Sequence, residues 1–212
     1  MGGSKYLDWL ARPITLDLIE KIVISALLGV LAARMIPAAV NSGNVLPVIL
    51  LVSEALVVAF ILLRRRTHDI SLDWRDWMFG LAGTIAPLLA APPGANPLVP
   101  LPVCGLLMTI GFCLNMSAKL TLRRSFGVVA ANRGVKASGP YRLIRHPMYA
   151  GYALTQIGFL LSGPTVWNFG IYGLAFLIQI ARIRAEERIL NNDPAYSAMS
   201  ERVRYRLVPF VF

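Results

Sequence analysis

Residues 45–63 have the sequence VLPVILLVSEALVVAFILL, with one charged side chain in the whole run. A helix rises about 1.5 Å per residue and the hydrocarbon core of a bilayer is about 30 Å thick, so a run of roughly 20 apolar residues can cross it. Residues 22–40, 74–91 and 101–120 meet this length or come close to it. We predict that each of these four runs is a spanning helix.

Two shorter apolar runs follow near the C-terminus, at residues 148–161 and 166–181. Between them lies Ser162-Gly163-Pro164-Thr165, whose residue types favour a turn. This pattern predicts a tight helical hairpin rather than one very long helix. The sequence therefore predicts an all-α, polytopic transmembrane bundle of about six spans, with a C-terminal helical hairpin and a cytoplasmic C-terminal segment.

The composition excludes an ordinary water-soluble domain. Of the 212 residues, 56% are hydrophobic and 15% are charged, and the mean hydropathy is +0.61. The polar stretches are too short to build a core of their own. We predict one integrated membrane domain, in which residues 1–118 supply N-terminal helices and residues 119–212 carry the chemistry.

The basic residues form four clusters, which lie before the first predicted span, after the second, from Lys119 to Arg145, and from Arg182 to Arg206. The linkers 41–44, 92–100 and 162–165 contain no Lys or Arg. Since Lys and Arg concentrate in cytoplasmic loops, this pattern predicts that both termini and the active site are cytoplasmic. Topology and anionic lipids explain the net charge of +10, so no nucleic-acid partner is expected.

Arg34 and Glu54 are the charged residues inside the first two predicted spans. Charge inside a membrane is costly, so such residues are functional candidates. They could instead pair across adjacent helices, or Arg34 could extend toward the membrane surface, and these alternatives stay open. Cys104 and Cys113 have no spacing typical of metal ligands, and no metal site is expected.

Residues 133–152, with the sequence RGVKASGPYRLIRHPMYAGY, are polar where their neighbours are apolar. Pro147 suits the first turn of the helix that follows. The backbone N–H groups at such a helix start are unpaired and can hold an anion such as a carboxylate. His146 directly precedes them.

The second arm of the hairpin ends in a charged segment with Arg182 and Glu186 four residues apart, on one helical face. A short turn would bring this segment close to the Arg145-His146-Pro147 stretch at one membrane boundary. From the residues alone, a catalytic cavity and a solvated set of ion pairs remain equal alternatives.

The combined motif resembles the isoprenylcysteine carboxyl methyltransferase family and its prokaryotic relatives. Its elements are SGPY at 138–141, RHPMYAG at 145–151, EERIL at 186–190, Tyr196, and RLVP at 206–209. The resemblance covers roughly residues 119–212. It implies transfer of a methyl group from S-adenosylmethionine to a lipophilic acceptor in the membrane, most of all an isoprenylcysteine-like or isoprenoid carboxylate.

The resemblance also implies roles for individual residues. Arg182 and Glu186 take the positions of the family's active-site pair, with Arg184 and Glu187 as the next assignment. The sequence departs from the family at residues 191–195 and at Met199, where the family has a tyrosine. The implied cofactor contacts are Arg133, Gly134, Val135, Lys136, Tyr141, His146, Pro147, Met148 and Tyr149.

Several functions remain as alternatives. A carboxylate acceptor needs no general base, whereas a phospholipid amine or a thiol would need one, and Glu186 is then the nearest candidate. Membrane sterol and enone reductases that use NADPH are similar in the Arg-His-Pro-x-Tyr region, although they are generally longer. A non-catalytic transport or binding protein would use Arg34 and Glu54 instead.

Overall fold

The computed structural model describes residues 13–63, 73–122, 125, 134–209 and 211. The regular structure in this described part is helical, with seven α-helices and one 3-10 helix at Gly139–Arg142. The α-helices are α1 at Pro13–Ser42, α2 at Leu46–Leu63, α3 at Trp74–Leu88, α4 at Leu101–Leu122, α5 at Pro147–Leu161, α6 at Val166–Leu190 and α7 at Pro194–Arg202. The all-helical prediction is confirmed for these residues.

Polar caps and prolines determine where several helices begin. Asp73 accepts a hydrogen bond from the Arg75 backbone N–H (2.9 Å) at the start of α3, and Thr165 accepts one from Asn168 (3.1 Å) at the start of α6. Pro147 occupies the first turn of α5, as the sequence predicts. Two capping side chains and one proline thus set the N-terminal ends of α3, α5 and α6.

Four helical segments are long and apolar enough to cross a membrane: Lys21–Ser42, Leu46–Leu63, Leu101–Leu122 and Val166–Leu190. Helices α3 and α5 have 15 residues each, which corresponds to only about 22 Å of rise. The six-span count and the membrane hairpin therefore stay predictions. Residues 162–165 do join α5 to α6, but α5 packs mainly against α4, and α6 packs mainly against α3.

The outside of the bundle is apolar and its inside holds one core that draws on both halves of the chain. Large aliphatic side chains such as Val40, Leu106 and Leu177 are exposed, as expected for surfaces that face lipid. Buried core residues come from all six helices α1 to α6, and include Leu31, Leu50, Leu88, Met108, Phe159 and Ile183.

Glycines bring α4 and α5 into very close contact. A Cβ atom built on Gly151 would lie 2.6 Å from the Gly111 carbonyl oxygen and 2.7 Å from the Asn115 backbone nitrogen. A Cβ atom on Gly158 would likewise lie 2.9 Å from the Cys104 carbonyl oxygen. Small residues at such crossings let helix backbones approach each other in membranes.

Hydrogen bonds join several helices at one end of the bundle, which we call the loop end (residues 89–100 and 162–168). The Leu89 carbonyl oxygen accepts from both Arg34 of α1 (3.1 Å) and Trp167 of α6 (3.0 Å). The Asn168 amide exchanges two hydrogen bonds with the Ala91 backbone. Backbone bonds of 2.9 Å also join Gly94 to Gly163 and Leu98 to Leu161.

The charged residues inside the bundle have partners that the sequence did not predict. Within the described residues, Arg34 and Glu54 form no ion pair with each other, since Arg34 donates to Leu89 and the charge attracting Glu54 belongs to Lys119 of α4. Lys119 was predicted to lie in a cytoplasmic basic cluster. It is fully buried instead, with its ammonium nitrogen 4.9 Å from the centroid of the Tyr152 ring.

Candidate active site

The candidate site lies at the opposite end of the bundle, which we call the polar end. It is formed by the start of α5, the last turns of α6 and the C-terminal segment 203–207. The backbone N–H groups of Arg145 and His146 donate to the carbonyl oxygens of Tyr205 and Arg206, both at 2.9 Å. The C-terminal segment therefore lies directly beside the residues that begin α5.

Glu187 connects these segments to one another. Its side chain is 6% exposed and one carboxylate oxygen lies 2.9 Å from the Arg145 guanidinium, while the other accepts from Arg206 Nε at 2.7 Å. His146 Nε2 and the Tyr196 hydroxyl lie 3.3 Å from the first oxygen. A carboxylate with this many partners is a structural anchor, because its oxygens are already occupied.

Tyr196 acts as a donor in this arrangement. Burial raises the pKa of its phenol, and the negative charge of Glu187 raises it further. Tyr196 therefore stays protonated near neutral pH and keeps its hydrogen bond to the Glu187 carboxylate.

The neighbouring carboxylate, Glu186, has fewer partners than Glu187 and is more exposed. It accepts a hydrogen bond from the buried Tyr149 hydroxyl, and one of its oxygens lies 3.8 Å from His146 Nδ1. Its side chain is 20% exposed. His146 is itself buried between the two carboxylates, so its ring is held in place by α6 from both sides.

Arg182 lies one turn before Glu186 and completes a group with Tyr149. Its guanidinium carbon is 5.3 Å from the centroid of the Tyr149 ring, which is a cation–π distance, and the residue is buried. Gly83 of α3 leaves room for it, since a Cβ atom there would lie 3.0 Å from Arg182 Cδ. We call these residues the Arg182–Tyr149–Glu186 group.

The structure thus brings His146 close to Glu186 and Glu187, as the short turn predicted, and it also brings Tyr149 close to Arg182 and Glu186. Pro147 and Met148 are buried in the first turn of α5 beside them. Tyr141, on the 3-10 helix, is also buried. Burial raises the pKa of Tyr141, with a smaller contribution from the charge of Glu186, so its hydroxyl remains a hydrogen-bond donor.

The first part of the predicted cofactor loop, residues 133–136, has no contact with the Arg182–Tyr149–Glu186 group that the structure describes. Arg133 lies outside the described residues. Gly134 and Lys136 are exposed, and Val135 packs against a small cluster formed by Tyr196, Met199 and Val203. The structure therefore shows Val135 covering α7, and the cofactor roles of these residues stay predictions.

The start of α5 offers fewer unpaired N–H groups than the sequence predicted. Pro147 has none, and the N–H groups of Tyr149 and Ala150 both donate to the His146 carbonyl oxygen, at 3.1 and 3.2 Å. Arg145 provides a different donor, because its Nε is buried and has no hydrogen-bond partner among the described residues. A carboxylate at this site would therefore meet a guanidinium as well as a helix start.

Sequence reasoning missed two features of this site. Glu187 was only the second choice for a catalytic role, and its anchoring contacts depend on Arg145 and Arg206, which are far apart in the chain. Nothing in the sequence indicated Gly83, because its importance comes from a contact between α3 and α6. The motif containing Tyr196 and Arg206 was the one signal that pointed to the C-terminal segment.

A comparison with protein families gives a match over residues 101–196, to the family model described as phospholipid methyltransferase. The matched segment runs from the start of α4 to Tyr196 and includes the Arg182–Tyr149–Glu186 group. No curated protein matches the chain. The match agrees with the sequence prediction on a membrane methyltransferase, and it does not confirm the narrower resemblance to isoprenylcysteine carboxyl methyltransferases.

Proposed function

We propose that this protein is an integral membrane methyltransferase that transfers a methyl group from S-adenosylmethionine to a lipophilic acceptor. The observation that carries the proposal is the Arg182–Tyr149–Glu186 group, with Arg182 and Tyr149 buried and Glu186 partly exposed, at the polar end of a bundle with an apolar outer surface. The group lies within the segment that matches the methyltransferase family model. An acceptor dissolved in the bilayer could approach it without leaving the lipid.

The residues around the group suit the proposed methyl donor. S-adenosylmethionine supplies a methyl group on a positively charged sulfur and also carries an ammonium and a carboxylate. Arg145 Nε is a buried donor without a hydrogen-bond partner in the described part of the chain, and it can bind the carboxylate. Tyr141 and Tyr149 add aromatic surfaces.

The chain's own task would be alignment and the exclusion of water. Tyr149 and His146 are buried and held by hydrogen bonds to α6, so they form a rigid wall. Holding two reactants at attack distance in a dry site can lower a barrier by several kcal/mol. No covalent intermediate on the protein is needed for this role.

A carboxylate acceptor, such as an isoprenylcysteine-like or isoprenoid acid, would rely on Arg182. A guanidinium binds a carboxylate through two parallel hydrogen bonds. The Tyr149 ring, at a cation–π distance, helps to hold the guanidinium in place. Such an acceptor is already a nucleophile, so Glu186 would have only an electrostatic role.

A phospholipid amine is the second candidate, and the description of the matched family favours it. An ammonium must lose a proton before its nitrogen can attack. Glu186 is the available base, because Glu187 is already bound by two arginines, and the proton would move to a Glu186 carboxylate oxygen. Tyr149, which donates to Glu186, would reorient that hydroxyl as the carboxylate becomes protonated.

Ligand binding to the detergent-purified protein provides the first test. We expect S-adenosylmethionine and S-adenosylhomocysteine to raise the melting temperature and NADPH to leave it unchanged. A ligand that binds only the folded protein, present at 100 times its dissociation constant, should stabilise it by about 2.7 kcal/mol. Stabilisation by NADPH but not by S-adenosylhomocysteine would contradict the proposal and favour a reductase.

The acceptor class is tested by incubating the protein with a lipid extract and S-adenosylmethionine labelled in the methyl group. Label that alkali releases as volatile methanol identifies a carboxylate acceptor, whereas non-volatile label that is recovered as an N-methylated amine after hydrolysis of the lipid identifies an amine acceptor. The Glu186→Gln variant should retain most activity in the first case and lose most of it in the second.

A further inference from the structure

A narrow polar cavity extends from Arg182 into the interior of the bundle, between α2, α3, α5 and α6. Its polar lining consists of Glu54, Thr84, Tyr152, Gln156, Gln179 and Arg182. About 10 Å³ is available to the centre of a water-sized group, which is enough for one water molecule or for one group of similar size. Such a cavity is unusual at the depth of a spanning helix, because polar groups there are costly.

Two of the lining side chains are left with unused hydrogen-bonding atoms. Gln179 Nε2 donates to Gln156 Oε1 at 3.5 Å. Gln156 Nε2 and Gln179 Oε1 are buried without a hydrogen-bond partner among the described residues. Exchanging the oxygen and nitrogen of both amides would still leave one donor and one acceptor unused. The cavity therefore suits a polar ligand.

The carboxylate of Glu54 makes the cavity favourable for a cation. Glu54 lies near the middle of α2 and is 4% exposed. A carboxylate and a free amide oxygen in the lining can both accept hydrogen bonds from an ammonium group. A carboxylate placed in the same cavity would be repelled by Glu54.

The ammonium group of Lys119 does not occupy the cavity in which the ligand's ammonium would bind. Lys119 attracts Glu54 electrostatically, but its ammonium nitrogen has no hydrogen-bond partner among the described residues and faces the Tyr152 ring. Lys119 is also absent from the cavity lining. It balances the charge of Glu54 and leaves the carboxylate's hydrogen-bonding capacity to the cavity.

We propose that this cavity is a subsite that holds an ammonium group on the lipophilic acceptor, with Glu54 as its specificity-determining residue. The proposal rests on the proposed methyltransferase function, since it places the subsite next to Arg182. Glu54 lies on α2, outside the segment that matches the family model. The specificity of the enzyme would then depend on a helix that the matched segment does not contain.

The test compares the binding of two labelled probes of equal chain length, hexadecylamine and hexadecanoic acid, to the full-length protein in detergent. We expect the wild type to prefer the amine. The Glu54→Gln variant should bind the amine about tenfold or more weakly, which is typical for the loss of a hydrogen bond to a charged group. Glu201→Gln, which removes an exposed carboxylate on α7, is the matched control and should bind the amine like the wild type.

Removing Glu54 alone leaves Lys119 buried without its countercharge, so a second variant separates binding from folding. The double variant Glu54→Gln/Lys119→Met removes both charges. We expect it to regain thermal stability over Glu54→Gln while its preference for the amine remains lost. If the folded double variant still prefers hexadecylamine as strongly as the wild type does, the subsite proposal is wrong.

S-adenosylhomocysteine is added to each variant in parallel, so that the two proposals fail in different ways. If it raises the melting temperature of every variant and only the Glu54 variants lose the amine preference, both proposals are supported. If it stabilises them all but amine preference is independent of Glu54, the subsite is wrong and the methyltransferase proposal stands. If it stabilises none of them, including the wild type, the methyltransferase proposal itself fails.

Discussion

Glu186 and Glu187 are adjacent in the chain, yet the structure gives them different surroundings. Glu187 is bound by Arg145 and Arg206, two residues from different segments. Glu186 is partly exposed and accepts a hydrogen bond from Tyr149. This difference supports the proposal that Glu186, and not Glu187, is the residue that meets an acceptor.

We therefore expect Glu187→Gln to destabilise the protein far more than Glu186→Gln. Neutralising one partner of a buried ion pair leaves the other charges uncompensated, which costs about 3 kcal/mol. The measurement is unfolding of both variants in the same detergent, with Glu186→Gln as the matched control. Equal stabilities would show that Glu187 is no anchor.

Arg182 gives a second prediction at this scale. Lys keeps the positive charge but loses the planar fork that binds a carboxylate or phosphate through two bonds. We expect Arg182→Lys to reduce the single-turnover rate of methyl transfer about a hundredfold, which is typical of a mispositioned reactant. Affinity for S-adenosylhomocysteine should change little.

The control for Arg182→Lys is Arg184→Lys, because Arg184 is exposed on the same helix. It should retain a nearly normal rate. If instead Arg184→Lys is the slower variant, the assignment moves to Arg184 and Glu187.

At the scale of elements, the contact between α4 and α5 leads to a test of packing. A methyl group on Gly151 would collide with backbone atoms of α4, whereas one on Gly173 of α6 would meet no atom within 4 Å. We expect Gly151→Ala to destabilise the protein by about 1–3 kcal/mol, the usual range for overpacking. Gly173→Ala should be neutral or slightly stabilising, because Ala favours a helix.

Thermal unfolding in detergent measures both glycine variants. A Gly151→Ala protein as stable as Gly173→Ala would mean that α4 and α5 can separate without penalty. The close crossing would then contribute little to the fold.

Sequence patterns predicted the helices well, and they predicted their contacts only in part. Apolar runs located α2 and α4 to within one or two residues, because membrane thickness sets the length of such runs. Hydropathy carries no information on which helix packs against which, so the Glu54–Lys119 attraction and the contact of Gly83 with Arg182 could not be foreseen. The meeting of His146 with α6 could be foreseen, since a short turn and a shared boundary constrain it.

For the whole molecule, the sequence makes a prediction about the orientation in the membrane. The four basic clusters predict that the polar end faces the cytoplasm. In a variant with Cys104 and Cys113 replaced by Ala, a cysteine at Asn44 should react with an impermeant thiol reagent applied to intact cells. A cysteine at Ser138 should react only after the cells are opened. If the cysteine at Ser138 reacts in intact cells and the one at Asn44 does not, the predicted topology is the wrong way round.

The two ends of the bundle are held by directional contacts, and the side formed by α2 is held differently. Hydrogen bonds to Leu89 and Ala91 fix α1, α3 and α6 relative to one another at the loop end, and Arg188 binds Asp76 at the polar end. Helix α2 contributes mainly aliphatic side chains such as Leu50 to the core. Aliphatic surfaces can slide past one another without losing a bond partner, so displacing α2 would break fewer of these directional contacts than displacing α1, α3 or α6, and its main electrostatic cost would be the separation of Glu54 from Lys119.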